Sequence, residues 1–414
     1  MNVLQICAYF PPFSRGGDAY AAYNYLLSMN DKQVINDVIL WPIVPKFIKK
    51  SNLNLKLKNK IYRVKLSRYY YILSRLFNYN IFIENYLINF LKNNPNKYDI
   101  IQFHGFHVYG LHIFKKLKKL KYKVFVTLHD YSLLCPKATL IKYNNEDCEG
   151  RKSFRECNNC LLKSKLPPHG LTSEKYLEFV DYFICPSKYI QEIHQKAFPR
   201  FKNRFIHIQN GIKKENYQKY PLNQLHNNFL TANYDLSVLF VGRLETVKGI
   251  FYLLKAFKNL PSSIILIIIG QGTLTKLIEN YISRFNLHKS IYLLGTMSNE
   301  QVMKFYASVD LVILPSIWKE NNSMVLIESI SSGIPSITTD IGGNKEIIEN
   351  NKNGFIINPK NSNEIRNLLI RILENKNDLE KMKKKCFEKF ENEFSLKVLG
   401  TNLKKLYNDS LTGK

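Results

Sequence analysis

The fold is decided by one stretch, Val238-Leu239-Phe240-Val241-Gly242-Arg243, which is followed by Lys248-Gly249 and by a segment with helical spacing of apolar residues at Ile250–Phe257. An apolar, β-branched run that stops at a glycine predicts a buried strand, and the segment behind it predicts a helix. The turn between them carries Gly, Arg and Lys, whose backbone N–H groups and cations suit a phosphate. We therefore expect an anion site where this strand meets its helix.

A second strand and helix of the same kind lie further along the chain. Residues 311–315 predict a buried strand, and a helix begins behind them with Asn322 or Ser323 as its N-cap. The first N–H groups of a helix have no partner within it, so this helix start also favours an anion. Glu320 lies just before the helix, and Glu328 lies about a turn and a half into it.

The remaining sequence alternates short apolar runs with helical segments, which predicts parallel sheets with helical crossovers. A chain of 414 residues is long enough for two such domains. Helices are predicted at 362–390 and 394–411, and the polar connector 213–233 shows no periodicity. Strands are expected at 3–8, 34–42, 100–104, 124–129, 182–186 and 205–208 in the first domain, and at 238–241, 264–270, 291–295, 311–315, 336–339 and 354–357 in the second.

Several short motifs occur in an order that one protein family shares. They are Pro11-Pro12 with Gly16-Gly17, Thr127-Leu128-His129-Asp130, Asn210-Gly211, Gly242-Arg243 with Lys248-Gly249, the pair Glu320 and Glu328, Gly333-x-Pro335, Asp340-x-Gly342-Gly343-x-x-Glu346 and Asn353-Gly354. With these motifs the chain resembles, over nearly its whole length, the retaining glycosyltransferases of family 4, which use nucleotide sugars and have the GT-B fold.

The resemblance implies an α/β architecture of two doubly wound, Rossmann-like domains that face each other across a cleft. The first domain, 1–208, would bind the acceptor and would carry a cysteine-rich insertion at 131–170. The second, 209–391, would bind the nucleotide sugar, and a C-terminal helix at 392–414 would return to the first domain. The implied reaction moves a hexose from a UDP- or GDP-linked sugar to a glycan or lipid-linked acceptor in surface polysaccharide synthesis, with retention of anomeric configuration.

The leaving group of such a reaction needs positive charge. Breaking the anomeric C–O bond leaves negative charge on the β-phosphate of the nucleotide, and fixed positive groups stabilise that charge. Metal-dependent enzymes commonly use a divalent ion held by Asp-x-Asp, a triplet that is absent from this sequence. We expect Arg243 and Lys248 to take that role, aided by the N–H groups around Ser323 and Met324, and we expect no catalytic metal.

The resemblance also implies roles for individual side chains. Glu328 would accept hydrogen bonds from the ribose hydroxyls, Glu320 would face the donor sugar, and His129 would be the catalytic-loop histidine that orients the sugar or the acceptor. The family often has Pro-Phe-Gly where this chain has Asn321-Asn322-Ser323. The sugar preference of this chain can therefore differ.

Two glycines and two further histidines complete the candidate residues of the first domain. Gly16 and Gly17 stand at a helix start, where the absence of a Cβ lets backbone N–H groups approach a ligand closely, and we expect them to contact the donor. A plain tight turn is the alternative. His104 and His107 follow another strand and are expected beside His129, because the carboxyl ends of parallel strands share one edge of the sheet.

Four of the seven cysteines, Cys135, Cys148, Cys157 and Cys160, fall in one segment rich in Lys, Asn and Gly. Two cysteines with two residues between them, as at Cys157 and Cys160, form half of a common zinc site, and two more thiolates would close a structural coordination shell. Free thiols and disulfides are the alternatives. The odd number of cysteines argues against a disulfide framework.

The formal charge of +27 is unevenly placed, because the only acidic residues between Lys46 and Lys123 are Glu84 and Asp99. The basic, aromatic segment 46–97 suits the surface of an anionic membrane. A solvated helix face and a base-composition bias of the genome are the alternatives. No apolar run approaches the ~20 residues that cross a bilayer, and we recognise no secretion leader. We therefore expect a cytoplasmic protein, peripheral on the inner face of the plasma membrane.

Three other functions compete with hexosyl transfer. Another GT-B activity, a nucleotide-sugar epimerase or a sugar phosphorylase, would share the phosphate site. A zinc-containing nucleic-acid binder would account for the charge and the cysteines but not for Arg243, Lys248, Glu320 and Glu328, so we expect no nucleic-acid partner. A nicotinamide oxidoreductase is disfavoured, because no Gly-x-Gly-x-x-Gly follows the first strand.

Overall fold

The structure is a computed structural model that describes residues 1–7, 10–11, 16–29, 35–40, 60–63, 81–105, 112–144, 146–166, 174–215, 217–226 and 234–413. The chain divides into two compact units. The first comprises Met1–Gly211 and Leu396–Lys414, and the second comprises Ile212–Ser395. Each unit is an α/β domain built on one parallel sheet, as the sequence predicts.

The first unit contains a seven-stranded sheet in the order β3-β2-β1-β4-β5-β6-β7. Its strands are Asn2–Cys7 (β1), Ile35–Leu40 (β2), Ile61–Arg63 (β3), Ile100–His104 (β4), Lys123–Thr127 (β5), Tyr182–Cys185 (β6) and Phe205–His207 (β7). Its α-helices are Gly17–Ser28, Ile81–Lys92, His112–Lys119, Phe154–Lys163, Lys188–Ala197 and Leu396–Thr412. Strands β1 and β4 are buried at nearly every position, as expected for a parallel sheet with helices on both faces.

The C-terminal helix Leu396–Thr412 belongs to the first unit, although the second unit precedes it in the chain. It packs on the helix Gly17–Ser28. A Cβ at Gly400 would overlap the Ser28 carbonyl oxygen, so the two helices meet where Gly400 has no side chain. The apolar spacing of the tail sequence is therefore used to bury this helix in the core of the first unit.

The second unit contains a six-stranded sheet in the order β10-β9-β8-β11-β12-β13. Its strands are Leu236–Val241 (β8), Ile264–Ile269 (β9), Ile291–Leu293 (β10), Leu311–Leu314 (β11), Ser336–Thr339 (β12) and Gly354–Ile357 (β13). Its α-helices are Leu222–Leu225, Ile250–Phe257, Thr275–Arg284, Asn299–Tyr306, Met324–Ser331, Asn344–Ile347, Ser362–Glu374 and Asn377–Lys389. The strand order reverses between β8 and β11, which is where sheets of this kind bind ligands.

Three elements differ from the sequence prediction. Strand β3 is not predicted, because it lies in the basic, aromatic segment and is only Ile61–Arg63 long. The charged segment 362–390 contains two helices and not one, because the backbone leaves the helical conformation at Asn375, which has φ −128° and ψ 52°. The connector 213–233 contains the short helix Leu222–Leu225.

Some sequence predictions concern residues outside the described ranges. His107 and most of the basic segment 46–97 belong to them. In the part of the chain that the structure describes, no helix combines the length and the apolar character needed to cross a membrane.

Candidate functional site

The loops behind β8 and β11 are held together at Gly249. Its φ of +71° suits glycine, and a Cβ at this position would overlap the Pro315 carbonyl oxygen. The Ile317 N–H donates to the Val247 carbonyl at 2.9 Å and joins the same two loops. The two stretches that favour an anion in the sequence are therefore neighbours in the fold.

Lys248 and Glu320 form an ion pair where these loops meet. The Lys248 Nζ lies 2.7 Å from Glu320 Oε1, and the same oxygen accepts a hydrogen bond of 2.6 Å from the Ser316 hydroxyl. The ammonium group also lies 5.5 Å from the centroid of the Trp318 ring. The Lys248 side chain is 17% exposed and the Glu320 side chain 7% exposed, so the pair is largely shielded from water.

The backbone of Glu320 is fixed by the glycines behind β12. The Gly343 N–H donates to the Glu320 carbonyl at 2.8 Å. Gly342 has a φ of +65°, and a Cβ there would overlap the same carbonyl oxygen. The glycines of the Asp340-x-Gly342-Gly343 motif thus allow the loop behind β12 to pack directly against the backbone of Glu320.

The helix Met324–Ser331 begins close behind Glu320 in the chain, and its start is buried and lacks a side-chain cap. Its N-cap is Ser323, one of the two residues that the sequence predicts for this position. The Ser323 side chain makes no capping hydrogen bond. Asn322 is only 8% exposed, and neither polar atom of its carboxamide has a partner in the described structure. The same holds for the fully buried carboxamide of Asn344. Buried polar groups without partners are uncommon and mark places where a ligand can supply the hydrogen bonds.

Glu328 lies further along the same helix, where it is partly buried. Burial raises the pKa of its carboxyl to about 7, and the neighbouring Tyr306 hydroxyl acts in the opposite direction. The two glutamates of the Glu-x7-Glu pair therefore differ in their surroundings, because Glu320 is paired with a lysine whereas Glu328 faces a tyrosine hydroxyl.

Arg243 follows β8 directly and is exposed. The loop that carries it is positioned by two glycines, because a Cβ at Gly270 would overlap the Gly242 carbonyl oxygen. The exposed Arg243 side chain differs from that of Lys248, which is largely buried and already forms an ion pair with Glu320. The second unit thus presents one solvent-exposed cation, one paired cation, a carboxylate and an uncapped helix start on the loops behind neighbouring strands.

In the first unit, His129 contacts His104 at the ends of two neighbouring strands. His104 Nδ1 lies 2.9 Å from His129 Nε2, and His104 Nε2 lies 3.0 Å from Gln5 Oε1. Burial lowers the pKa of His104 well below its usual range. Burial also lowers the pKa of His129 to about 4, although the Asp130 carboxylate acts in the opposite direction. Both rings are therefore neutral at neutral pH.

Gly16 and Gly17 stand where the sequence predicts, at the start of the helix Gly17–Ser28. Gly16 has a φ of +125°, and a Cβ there would meet no atom of the described residues within 4 Å. Tyr25 on this helix packs edge-on against His104, with 5.0 Å between the ring centroids. The helix that begins at the glycines therefore also touches the histidine pair.

Three polar residues of these sites are missed by the sequence analysis. Gln5 lies inside the apolar strand β1, Asn36 lies near the start of β2, and Ser316 lies behind β11. A glutamine inside a buried run such as Val3-Leu4-Gln5-Ile6 is a signal that can be found in a sequence, because a buried amide needs hydrogen-bond partners.

The structure does not support the predicted structural zinc. No three His, Cys, Asp or Glu side chains group as metal ligands within the described ranges, which include Cys135, Cys148, Cys157 and Cys160. All four are free thiols, and Cys148 Sγ donates to the Gly150 carbonyl at 3.2 Å. The conformation of the segment around Cys157 and Cys160 explains why the predicted site is not formed.

The Cys-x-x-Cys pair lies inside the regular helix Phe154–Lys163 and not on a loop that wraps an ion. A capping box fixes the start of that helix, since the Ser153 side chain accepts from the Glu156 N–H and the Glu156 carboxylate accepts from the Ser153 N–H. No disulfide joins any of these four cysteines.

Two family models match the chain. The model described as Glycosyltransferase Family 4 matches residues 52–216, and the model described as Glycosyl transferases group 1 matches residues 224–389. An uncharacterised glycosyltransferase of Methanocaldococcus jannaschii is 31% identical over 272 residues, which are 61% of this chain and 72% of that protein. Fold and matches together define an enzyme that transfers sugars, a glycosyltransferase of the hexosyltransferase type.

More specifically, the chain belongs to family 4 of the glycosyltransferases. Another relative is the UDP-Gal:alpha-D-GlcNAc-diphosphoundecaprenol alpha-1,3-galactosyltransferase of Escherichia coli, which is 31% identical over 180 residues. The match covers 42% of this chain and 46% of that protein, so the chain spans less than half the length of this relative.

Solved structures show the same fold. Crystal structures of HepE from Anabaena, in complex with UDP and with UDP-glucose, align over 99% of this chain and 100% of theirs with a TM-score of 0.72 and 18% identity. A sucrose-phosphate synthase from Thermosynechococcus elongatus aligns over the whole of both chains with a TM-score of 0.71 and 16% identity. The predicted two-domain GT-B fold is thereby confirmed.

Proposed function

We propose that the protein is a retaining glycosyltransferase that moves a hexose from a UDP- or GDP-linked sugar to a glycan or lipid-linked acceptor in the synthesis of a surface polysaccharide. The nucleotide sugar binds in the second unit and the acceptor in the first. The observation that carries this proposal is the Lys248–Glu320 ion pair beside the uncapped start of the helix Met324–Ser331. A cation, a carboxylate and the N–H groups of a helix start are the three partners that a diphosphate and a sugar require.

The second unit stabilises the leaving group without a metal ion. Charge that develops on the β-phosphate meets the Arg243 guanidinium, the Lys248 ammonium and the N–H groups of Ser323 and Met324. Each such donor acts more strongly on the transition state than on the bound substrate, because the charge is still growing there. Loss of one donor of this kind lowers kcat by roughly 10²–10³.

The two glutamates have different tasks in this proposal. Glu320 faces the donor sugar while it holds Lys248 in place through the contact of 2.7 Å. Glu328 accepts hydrogen bonds from the ribose hydroxyls, which favours the ionised form of a carboxyl whose pKa is raised to about 7 by burial. The ribose thus supplies donors in addition to the Tyr306 hydroxyl.

The acceptor oxygen attacks the anomeric carbon on the face from which the diphosphate departs. The bond between the anomeric carbon and the phosphate oxygen breaks, a bond to the acceptor oxygen forms, and the departing phosphate takes the acceptor's proton. His129 is neutral at neutral pH and orients a hydroxyl of the sugar or the acceptor, so it need not take up the proton itself. Gly16 and Gly17 bring backbone N–H groups close to the ligand.

The choice of the first donor to test comes from the comparisons. HepE has been crystallised with UDP-glucose, and the name of the Escherichia coli relative includes UDP-Gal. Uridine diphosphate hexoses are therefore the first candidates and guanosine diphosphate hexoses the second.

A thermal-shift panel of UDP, GDP, ADP and their hexose conjugates tests the proposal, because a ligand at about 100 times its Kd adds ~2.7 kcal/mol to the free energy of unfolding. We expect one nucleotide family to raise Tm and the Arg243→Ala variant to lose that shift. A labelled hexose should then appear on a polyprenyl-linked or glycan acceptor, also in the presence of EDTA. An unchanged shift and unchanged turnover in Arg243→Ala would refute the phosphate assignment, and an isomerised sugar or a free sugar phosphate would indicate an epimerase or a phosphorylase instead.

We also propose that the first unit docks on the inner face of the plasma membrane, at an anionic lipid surface. In the described part of the cysteine-rich insertion, four large apolar side chains are exposed, namely Tyr143, Phe154, Leu162 and Leu166. Exposed Lys152, Arg155, Lys163 and Lys165 lie among them, and the chain as a whole carries a charge of +27. Apolar side chains with cations around them suit an anionic bilayer, where each Lys or Arg is worth ~1 kcal/mol.

Co-sedimentation with vesicles tests this docking. Binding should increase with the fraction of anionic lipid and should decrease when Phe154 and Leu162 are both replaced by serine. The matched control replaces Leu277, an exposed leucine of the second unit, by serine and should bind like the wild type. Binding that ignores the anionic fraction would contradict the proposal.

A further inference from the structure

A row of buried hydrogen bonds crosses the sheet of the first unit in strand order. It joins Asn36 in β2, Gln5 in β1, His104 in β4 and His129 behind β5, and these four strands are consecutive neighbours in the sheet. The distances are 2.8 Å from Gln5 Nε2 to Asn36 Oδ1, 3.0 Å from His104 Nε2 to Gln5 Oε1 and 2.9 Å from His104 Nδ1 to His129 Nε2. We call this row the relay.

The far end of the relay fixes the direction of every bond in it. Asn36 Nδ2 lies 3.2 Å from the Leu26 carbonyl oxygen, which can only accept. The Asn36 nitrogen therefore faces Leu26, and its oxygen faces Gln5. An amide oxygen can only accept, so the nitrogen of Gln5 faces Asn36 and the oxygen of Gln5 faces His104.

The same logic continues through the two imidazole rings. Gln5 Oε1 can only accept, so His104 Nε2 carries a hydrogen. In a neutral ring the other nitrogen then has a lone pair, so His104 Nδ1 accepts and His129 Nε2 carries a hydrogen. The rings are neutral because burial penalises their charged forms.

We propose that Asn36, Gln5 and His104 are positioning residues that set the tautomer of His129, with the hydrogen on Nε2 and the lone pair on Nδ1. The consequence for turnover rests on the role of His129 in the proposed function. With this tautomer, His129 Nδ1 can only accept a hydrogen bond. Substrate groups that contact it there must be donors, such as the hydroxyls of a sugar or of an alcohol acceptor, and a carboxylate or phosphate oxygen is excluded from that contact.

Long-range ¹H–¹⁵N spectra of the full chain with labelled histidine test the tautomer directly. We expect His129 to show a protonated Nε2 and an unprotonated Nδ1, and its signals are identified by their loss in His129→Gln. A hydrogen on Nδ1, or hydrogens on both nitrogens, in the folded wild type would overturn the proposal. This measurement needs no substrate and no variant of the relay.

A pair of leucine substitutions then tests the relay itself. Gln5→Leu removes the acceptor of His104 Nε2, so the His129 signals should move to those of a mixture of tautomers. Gln102 is the matched control, because it lies opposite Gln5 in the register of β1 and β4 but bonds to Thr127 and Tyr407 instead. The Gln102→Leu spectrum should keep the His129 tautomer, and unchanged signals in Gln5→Leu would refute the relay.

Turnover separates this inference from the proposed function. Gln5→Leu should lower kcat on the order of tenfold, the lower end of what loss of an orienting partner costs for metal-binding histidines, with a smaller change in KM. If the spectra show the expected tautomer but His129→Gln turns over like the wild type, the relay is correct and the role of His129 is wrong. If the tautomer differs while His129→Gln is inactive, the proposed role stands and the relay is wrong.

Discussion

The Lys248 ammonium lies 2.7 Å from a carboxylate oxygen of Glu320, and both side chains are mostly covered by protein. Lys248 therefore has a structural role besides the proposed contact with the ligand, because its ammonium group neutralises the buried Glu320 carboxylate. Arg243, the other predicted phosphate ligand, is exposed. Replacing Lys248 and replacing Arg243 should therefore change the free energy of unfolding by different amounts.

Lys248→Ala should lower the free energy of unfolding by about 3 kcal/mol, because it leaves the Glu320 carboxylate buried without its counter-charge. Adding Glu320→Gln should recover much of this loss, since the charge that lost its partner is then gone. Urea denaturation of both variants measures the effect.

Arg243→Ala is the matched control for this prediction. Truncation of an exposed side chain should change the free energy of unfolding by no more than ~0.5 kcal/mol. Both single variants should lose affinity for the nucleoside diphosphate. A Lys248→Ala protein as stable as Arg243→Ala would show that the ion pair contributes nothing to the folded state.

Glu328 should make nucleotide affinity depend on pH. Burial raises its pKa from 4.5 to about 7 in the free protein, and ribose hydroxyls donate to the ionised form. Binding then releases a proton below pH 7, so affinity should rise with pH up to about 7 and level off above it. Titration calorimetry between pH 5.5 and 8, in buffers of different ionisation enthalpy, measures both the affinity and the proton release. The Glu328→Gln variant should bind more weakly with no such rise, and a persistent rise would assign the titration to another group.

Much of this fold can be predicted because most of its strands are short apolar runs with a glycine, proline or histidine close behind them. The relay cannot be predicted in the same way. Asn36, Gln5, His104 and His129 become neighbours only through the strand order β2-β1-β4-β5, which depends on how distant segments pair. A sequence shows a polar residue in an apolar strand but not which strand will stand beside it.

The predicted zinc site, which the structure does not support, shows that a local spacing pattern can fit two different local structures. The spacing of Cys157 and Cys160 fits a metal-binding turn and one turn of a helix equally well. The capping box at Ser153 and Glu156 is a helix signal in the sequence, and the structure has a regular helix there. The Lys248–Glu320 pair, in contrast, depends on the close approach of Gly249 to Pro315, which no local pattern specifies.

Asn322→Leu should stabilise the free protein and impair donor binding at the same time. The Asn322 carboxamide is buried with no hydrogen-bond partner in the described structure, and leucine has a similar size without the polar atoms. The free energy of unfolding should rise by about 1 kcal/mol, within the range for removing an unsatisfied buried group. Affinity for the nucleotide sugar should fall, whereas affinity for the nucleoside diphosphate should not, because Asn322 belongs to the segment Asn321-Asn322-Ser323, to which we assign the sugar preference. Equal losses for both ligands would place Asn322 at the diphosphate instead.

Stability should rise with pH between about pH 4 and 6.5, because three largely buried histidines stay neutral in the folded chain. Burial lowers the pKa of His104, and it lowers those of His129 and His194 to about 4, below the value of 6.5 in an unfolded chain. In this window the unfolded chain binds more protons at these sites, so unfolding becomes harder as pH rises.

Glu328 contributes to the pH dependence of stability with the opposite sign, because its pKa is higher in the folded chain than in the unfolded chain. Between pH 4.5 and about 7, its titration lowers the free energy of unfolding as pH rises. Glu328→Gln should therefore steepen the rise between pH 5 and 6.5 by up to ~1.4 kcal/mol per pH unit, the slope for one proton. Urea denaturation at several pH values measures the slope, and Glu374→Gln, at an exposed helix end, should leave it as in the wild type. A slope that Glu328→Gln leaves unchanged would mean that this carboxyl is already ionised in the folded protein at pH 5.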